Sequence, residues 1–352
     1  MRNRAKRAHF LSSLENCNRI KGIIQRLKHI HEHKFVTIRA RMQQAMLQCN
    51  GIQTHVITEG RWVEEGLAPT GCKDLVIVIP GNPGVPSFYM AFIKALKSRL
   101  PPETPVWVVG HAGHVQPSDN LSFLPNTSSN KELYNLDGQV NHKVAFIKQY
   151  VPKDARIHLI GHSIGSWMIL QLLKDPEFAS RVVKCYLLFP TVERMAETPN
   201  GKFLTNVVLR IAKVLVFLAW IFSFFPSLLQ VFLIQIFGIF LGITRESVKP
   251  VQQLLHPSVL ERVFRLANDE MKRVKEIDHE AVVKHNDKLW FYYGATDRWT
   301  PHNYYRELKE KYPNINAQLC QLGFRHAFVL THSKEVGHMV GDLIQENIAN
   351  SS

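Results

Sequence analysis

The stretch "LIGHSIGSWMIL", Leu159 to Leu170, sets a serine between two glycines, directly after an apolar run and directly before one with helical spacing. Gly-x-Ser-x-Gly at a strand-to-helix junction is the pattern of a nucleophile elbow, in which a sharp turn lifts the serine hydroxyl above the sheet. Small Gly161 and Gly165 let strand and helix approach each other. A small-residue crossing with no chemical role would leave the same five letters, so the surrounding chain must decide between the two.

Working outward, "MLQCNGIQTHVITEG" at 46–60 carries Asn50-Gly51 between two alternating runs and predicts a β-hairpin. Short apolar runs suited to buried parallel strands follow at "LVIVIPG" (75), "PVWVVGH" (105), "RIHLIGH" (156), "VVKCYLLFP" (182), "KLWFYYG" (288) and "INAQLCQLG" (315). Between them, "SFYMAFIKALKSRL" (87), "QVNHKVAFIKQY" (139) and "NYYRELKEKY" (303) have the spacing of crossover helices. The alternation predicts an α/β fold with a mostly parallel, doubly wound sheet, whose ligand site lies at the carboxyl ends of the strands.

The alternation breaks between the fourth and fifth of these strands. There Val214 to Ile243 runs for thirty residues without a charge and with Pro226 near its middle. One straight helix of that length would reach about 45 Å, too long for a ~30 Å hydrocarbon core, and two spans would need about forty residues. Lys202, Arg210 and Lys213 before the run and Arg245 and Lys249 after it place both ends on one side. A hairpin bent at Pro226 and dipping into one lipid leaflet or a droplet monolayer meets all three constraints; the alternative is a pair of apolar lid helices over a pocket in a soluble protein.

The expected organisation is a basic extension over 1–44, a catalytic core over 45–202 and 287–352, and a helical cap over 203–286. The chain of 352 residues carries a net charge of +14. Eleven Lys or Arg face only Glu15 and Glu32 in the first 48 residues, which fits a solvated tail, a membrane-surface segment or a transit segment. No zinc spacing or aromatic interleaving accompanies the charge, so a nucleic-acid partner is not expected. The scattered, odd-numbered cysteines argue for a reducing compartment and against a disulfide framework, no CxxC pair calls for a metal, and export is not expected.

Candidate catalytic groups follow from position in the chain. "IPGNPG" at 79–84 closes the first parallel strand, where an oxyanion-hole N–H belongs; Pro83 cannot donate, leaving Asn82, paired with the N–H of Ile164 just after the serine. Asp297 in "YYGATDRWTP" and His326 in "LGFRHAF" each fall just beyond a strand and give the order Ser, acid, His. His326 would take the proton of Ser163, and Asp297 would hold the imidazole in the needed tautomer. His332 and His338 are rivals for the base and Glu193 for the acid. His162 is read as a packing or lid-contact residue pointing away from the hydroxyl, and His111 and His114 as borders of the pocket.

"IPGNPG" with "FY" just after it, "HAGH", "GHSIGS", "FPTVERMAETPNG", "FYYGATDRW" and "HAF", in that order from about residue 45 to the C-terminus, resemble the lipid droplet-associated hydrolase family. The resemblance implies a serine hydrolase of the α/β-hydrolase fold at lipid droplets and the endoplasmic reticulum, acting on neutral lipid esters, particularly cholesteryl esters. The hairpin reading puts both its flanks on the cytosolic face, and triad chemistry needs no cofactor or metal. By the family pattern Ser163 is the nucleophile and His326 its base, with the carboxylate carried onto Asp297. The lipid surface would be met through residues 203–245. Two other functions remain open at this point: a droplet tether with a weakly active hydrolase fold, and an acyltransferase using the same triad on an alcohol acceptor.

Overall fold

A computed structural model describes residues 42–69, 71–116, 124–127, 129–241 and 244–350. The basic extension lies outside them up to residue 41, and β1 (Gln43–Cys49) already begins at Gln43.

β1 turns into antiparallel β2 (Ile52–Glu59) through Asn50 and Gly51, both at positive φ, 50° and 74°. Two consecutive positive φ angles give the turn the twist of its flanking strands, which is why this dipeptide ends the first strand where it does. The parallel strands are β3 (Asp74–Ile79), β4 (Val106–Val109), β5 (Arg156–His162), β6 (Val182–Leu188), β7 (Leu289–Gly294) and β8 (Asn316–Cys320). Each coincides with an apolar run of the sequence. Their order across the sheet is β1-β2-β4-β3-β5-β6-β7-β8, parallel from β4 onward.

Consecutive strand residues face opposite sides, so the sheet carries a core on each face. Leu75, Ile77 and Ile79 join one and Val76 and Val78 the other. α1 (Met90–Lys97) and α9 (Ser333–Ala349) cover one face through Phe92, Ile93, Leu96, Val336, Val340 and Ile344. α2 (Leu136–Tyr150), α3 (Ile164–Leu172) and α8 (His302–Lys311) cover the other. With both faces covered, β5 has no solvated side, which explains its nearly unbroken burial.

The chain between β6 and β7 holds α4 (Ala212–Ser223), α5 (Ser227–Leu241), α6 (Val248–Leu254) and α7 (Pro257–Arg273). α7 is amphipathic: Val259, Leu266, Ala267 and Met271 are buried, and α4 packs on it while α5 packs on α6. Pro226 separates α4 from α5, where the Gln230 amide donates to the carbonyl of Phe225 at 2.9 Å. Among the described residues no single helix is long and apolar enough to cross a membrane, although Pro199–Val208 and Ala212–Ser223, bent by 72°, pass that test as a pair.

Candidate active site

Three loops at the carboxyl ends of β5, β7 and β8 meet above one edge of the sheet. Ser163 follows β5 at φ 53°, ψ −121°, a conformation that non-glycine residues avoid and that tolerates only a tightly built surrounding. The turn depends on close contacts. A Cβ at Gly165 would lie 2.2 Å from the carbonyl oxygen of Ile79, and one at Gly81 2.9 Å from the Cβ of Ser163. Replacing either glycine would displace Ser163 from this turn.

His326 Nε2 lies 2.9 Å from Ser163 Oγ, and its Nδ1 lies 2.7 Å from Asp297 Oδ2. The Asp297 carboxylate is further held by the N–H groups of Trp299 (2.7 Å) and Thr300 (3.3 Å) and by the Thr300 hydroxyl at 2.9 Å. Burial pushes its pKa up, but the His326 ring and these donors outweigh that and hold the carboxyl below its usual range. An ionised Asp297 accepts the Nδ1–H of His326, leaving Nε2 a free acceptor toward the serine hydroxyl. The serine is therefore hydrogen-bonded to a base that is itself oriented.

The two candidate oxyanion-hole residues, Asn82 and Ile164, sit in different segments. The N–H of Ile164, first residue of α3, has no intrahelical partner, because the first turn of a helix leaves its N–H groups pointing outward. In the loop after β3, the N–H of Gly81 donates to Tyr89 Oη at 2.9 Å and is thereby occupied. The side-chain amide of Asn82 ties this loop to α7, donating to the Val263 carbonyl (3.1 Å) and to Glu270 Oε1 (3.0 Å). Behind it, the N–H of His111 donates to the Gly84 carbonyl at 3.0 Å, and His114 Nδ1 lies 2.6 Å from the Pro83 carbonyl. Burial pushes His114 down to about 3, so this ring buttresses the loop as a neutral group.

The remaining candidates lie elsewhere. Glu193 pairs with Arg194 at 2.9 Å and lines a surface depression with Lys275, Glu276 and Lys311 that contains none of the three triad positions. His332 stands just before α9 with its Nδ1 2.7 Å from Thr331 Oγ1, and His338 sits within that helix. His162 turns away from the serine hydroxyl, toward Tyr89 Oη and the backbone carbonyl of His326.

Sequence reading passed over four neighbours. Thr191 Oγ1 stands 3.4 Å from Ser163 Oγ. Phe189, at φ 48°, stacks on Phe328 and lies edge-on to His326, and Thr300 and Trp299 surround Asp297 and His326. Phe189 and Thr191 follow β6, at the same rim as the elbow, and Asp-x-x-Thr is a local capping pattern; both signals were available.

Comparison with known proteins gives the family and the fold. Residues 72–329 match a family described as lipid-droplet associated hydrolase. The chain belongs to that family. It is 48% identical over 308 residues to the lipid droplet-associated hydrolase of Drosophila melanogaster, covering 87% of this chain and 99% of that one. To the human protein of the same name it is 35% identical over 317 residues, covering 88% and 96%. Among solved structures it is similar to a haloalkane dehalogenase from Agrobacterium tumefaciens, with TM-score 0.56, 13% identity, and 88% and 97% of the two chains covered. A haloalkane dehalogenase variant from Bradyrhizobium elkanii gives TM-score 0.55 at 12% identity, over 89% and 100%. At such identity these likenesses establish the fold, and the fold of this family member is that of an α/β-hydrolase.

Proposed function

We propose that this member of the family is a serine hydrolase that cleaves neutral lipid esters, sterol esters foremost, at the surface of lipid droplets and on the cytosolic face of the endoplasmic reticulum. The observation that carries the reading is the chain Ser163 Oγ, His326 Nε2, His326 Nδ1, Asp297 Oδ2 at 2.9 and 2.7 Å on a strained strand-to-helix turn. Ser163 Oγ attacks the ester carbonyl while His326 removes its proton. The N–H groups of Asn82 and Ile164 stabilise the tetrahedral oxyanion, each worth about 3 kcal/mol in the transition state. Collapse transfers the proton from His326 to the departing alcohol and leaves an acyl-serine. Water then attacks with His326 again as base, releasing the acid and restoring Ser163.

Lipid contact is assigned to residues 203–245 as part of a cap over 203–286, with 45–202 and 287–352 forming the catalytic unit. α4 and α5 have 12 and 15 residues and reach only about 18 and 22 Å at 1.5 Å per residue, short of a ~30 Å core. Yet Phe217, Leu218, Trp220, Phe224, Leu228, Phe232, Phe237 and Ile239 are all about half exposed or more. A large apolar side chain is worth roughly 1.5–3 kcal/mol when fully buried, so immersing the exposed half of eight of them contributes about 6–12 kcal/mol, comparable with an association penalty on the order of 4–15 kcal/mol. This supports docking into one leaflet or a droplet monolayer.

A fluorophosphonate probe on the purified protein tests the chemistry. Labelling at Ser163, lost together with ester turnover in Ser163→Ala, is the expected result; a wild-type protein that neither labels nor hydrolyses any neutral-lipid ester overturns it. The apolar helix pair also favours a second reading, a droplet tether with little turnover. That reading requires Ser163→Ala to leave droplet size and number in cells as in the wild type while removal of residues 214–243 alters them. If labelled acyl groups appear on added sterol instead of as free acid, the acceptor is an alcohol and the enzyme is an acyltransferase.

A further inference from the structure

Next to the triad runs a second chain of buried polar groups. Tyr89 ends a short 3-10 turn (Pro86–Tyr89) ahead of α1, and His162 is the last residue of β5, adjacent to the nucleophile. Their exposures are 3% and 6%. Gly81 N–H donates to Tyr89 Oη at 2.9 Å, Tyr89 Oη lies 2.6 Å from His162 Nδ1, and His162 Nε2 lies 2.9 Å from the backbone oxygen of His326.

With a neutral His162 ring, one proton arrangement satisfies all three contacts. The His326 carbonyl only accepts, so His162 Nε2 carries a proton. Burial pushes this imidazole down to about 3, and the neutral ring therefore presents Nδ1 as a bare acceptor, which takes the Tyr89 O–H. Tyr89 Oη in turn receives the Gly81 N–H. Donors thus run in one direction, from the oxyanion loop through Tyr89 and His162 to the chain segment that bears the base. A neutral His162 also matters because its ring centroid is 5.4 Å from that of His326, where a second positive charge would oppose formation of the imidazolium.

We propose that Tyr89 and His162 are positioning residues for the hydrolysis, fixing the backbone of His326 relative to the Gly81–Asn82 loop so that base and oxyanion donors stand in register around Ser163. The proposal rests on the triad reading above. The segment between β8 and His326 has no regular structure, so it lacks the ladder bonds that hold Ser163. The His162 contact supplies a fixed point at the very residue whose side chain must sit 2.9 Å from the nucleophile. A displacement of about 1 Å at such a point is worth about 10²-fold in rate.

The test compares Tyr89→Phe, His162→Leu and His162→Gln in the full chain, measuring kcat and KM on a water-soluble p-nitrophenyl butyrate, fluorophosphonate labelling rate and Tm. Tyr89→Phe and His162→Leu are expected to lower kcat and labelling about 10²-fold with KM within about twofold. His162→Gln, whose amide offers one donor and one acceptor toward the same partners, is expected to recover most of that loss. If Tyr89→Phe and His162→Leu keep kcat within twofold of wild type, the positioning role is wrong. Equal losses in Leu and Gln variants that track a falling Tm overturn it as well, since that pattern is simple packing. Failure of the wild type itself to label at Ser163 strikes the triad reading first, and this proposal falls with it.

Discussion

Around Ser163, His326 and Asp297, polar side chains are bonded to one another and largely shielded from water; in the apolar helix pair, large apolar side chains stand exposed. Asp297 has a side chain shut off from solvent and four hydrogen-bonding contacts, whereas Leu228 is 86% exposed and Phe224 68%. Each region reverses the usual partition of a water-soluble surface, for opposite reasons. Buried charge is tolerated where every lone pair has a donor, and the rim fulfils that condition locally. The helix pair satisfies its backbone internally but leaves large apolar side chains exposed, as the proposed lipid contact requires. The proposed chemistry and the proposed docking therefore occupy separate parts of the chain, joined through α7, which packs on α4 and also binds the loop after β3 through Glu270 and Asn82.

If the two regions are separable, substitutions should divide cleanly. The largest effect is expected at the nucleophile and its base: Ser163→Ala and His326→Ala each lower kcat by roughly 10⁴-fold or more, and the double variant falls little further, because the two act as one unit. Steady-state kinetics on a soluble ester measure this, and droplet binding in the same variants should be unchanged. Asp297→Asn comes next, at up to about 10⁴-fold, because an amide in that position can favour the wrong His326 tautomer. Phe224→Asp with Leu228→Asp should act the other way round. Flotation with triolein droplets is expected to drop about tenfold or more while hydrolysis of the soluble ester stays within twofold, since two charges on an apolar surface each cost about 2 kcal/mol or more. Loss of both activities together would show that the helix pair is part of the catalytic unit.

The smallest effect sharpens the junction. Burial pushes Glu270 up from 4.5 to about 8. A carboxyl raised in the folded state keeps its proton where the unfolded chain has lost it. The stability it contributes is then full below pH 4.5 and declines as pH rises toward about 8. Glu270→Gln keeps an acceptor for Asn82 and removes the titration. Its Tm should match wild type near pH 4.5 and exceed it by a few degrees near pH 8; a parallel pair of Tm curves would refute the assignment.

Much of the molecule was legible in the chain. Asn50-Gly51 ended β1 on schedule because two positive φ angles are a local demand that few dipeptides meet. The six apolar runs became the six parallel strands because a sheet covered on both faces asks for apolar residues on both. The rim could be located from the strand ends alone, and Ser163, Asp297 and His326 lie there. Glu193, the rival acid, also follows a strand, and the structure pairs it with Arg194. The bond from Asn82 to Glu270 joins positions 188 apart, and the contact from His162 to the His326 carbonyl joins positions 164 apart. Neither has a periodicity or turn that announces it.

What the sequence determined by itself was local: strands by apolar runs, turns by their backbone angles, the strained perch of Ser163 by its flanking glycines, and a stretch from Val214 to Ile243 without a charge and too short for two spans. Tertiary structure decided the rest. Sheet order set three residues from three loops within hydrogen-bonding distance; burial keeps the His162 imidazole neutral, and the His326 ring with the Trp299 and Thr300 donors keeps the Asp297 carboxyl charged against its burial. Those properties depend on neighbours distant in the chain, and only the packed molecule chooses the neighbours.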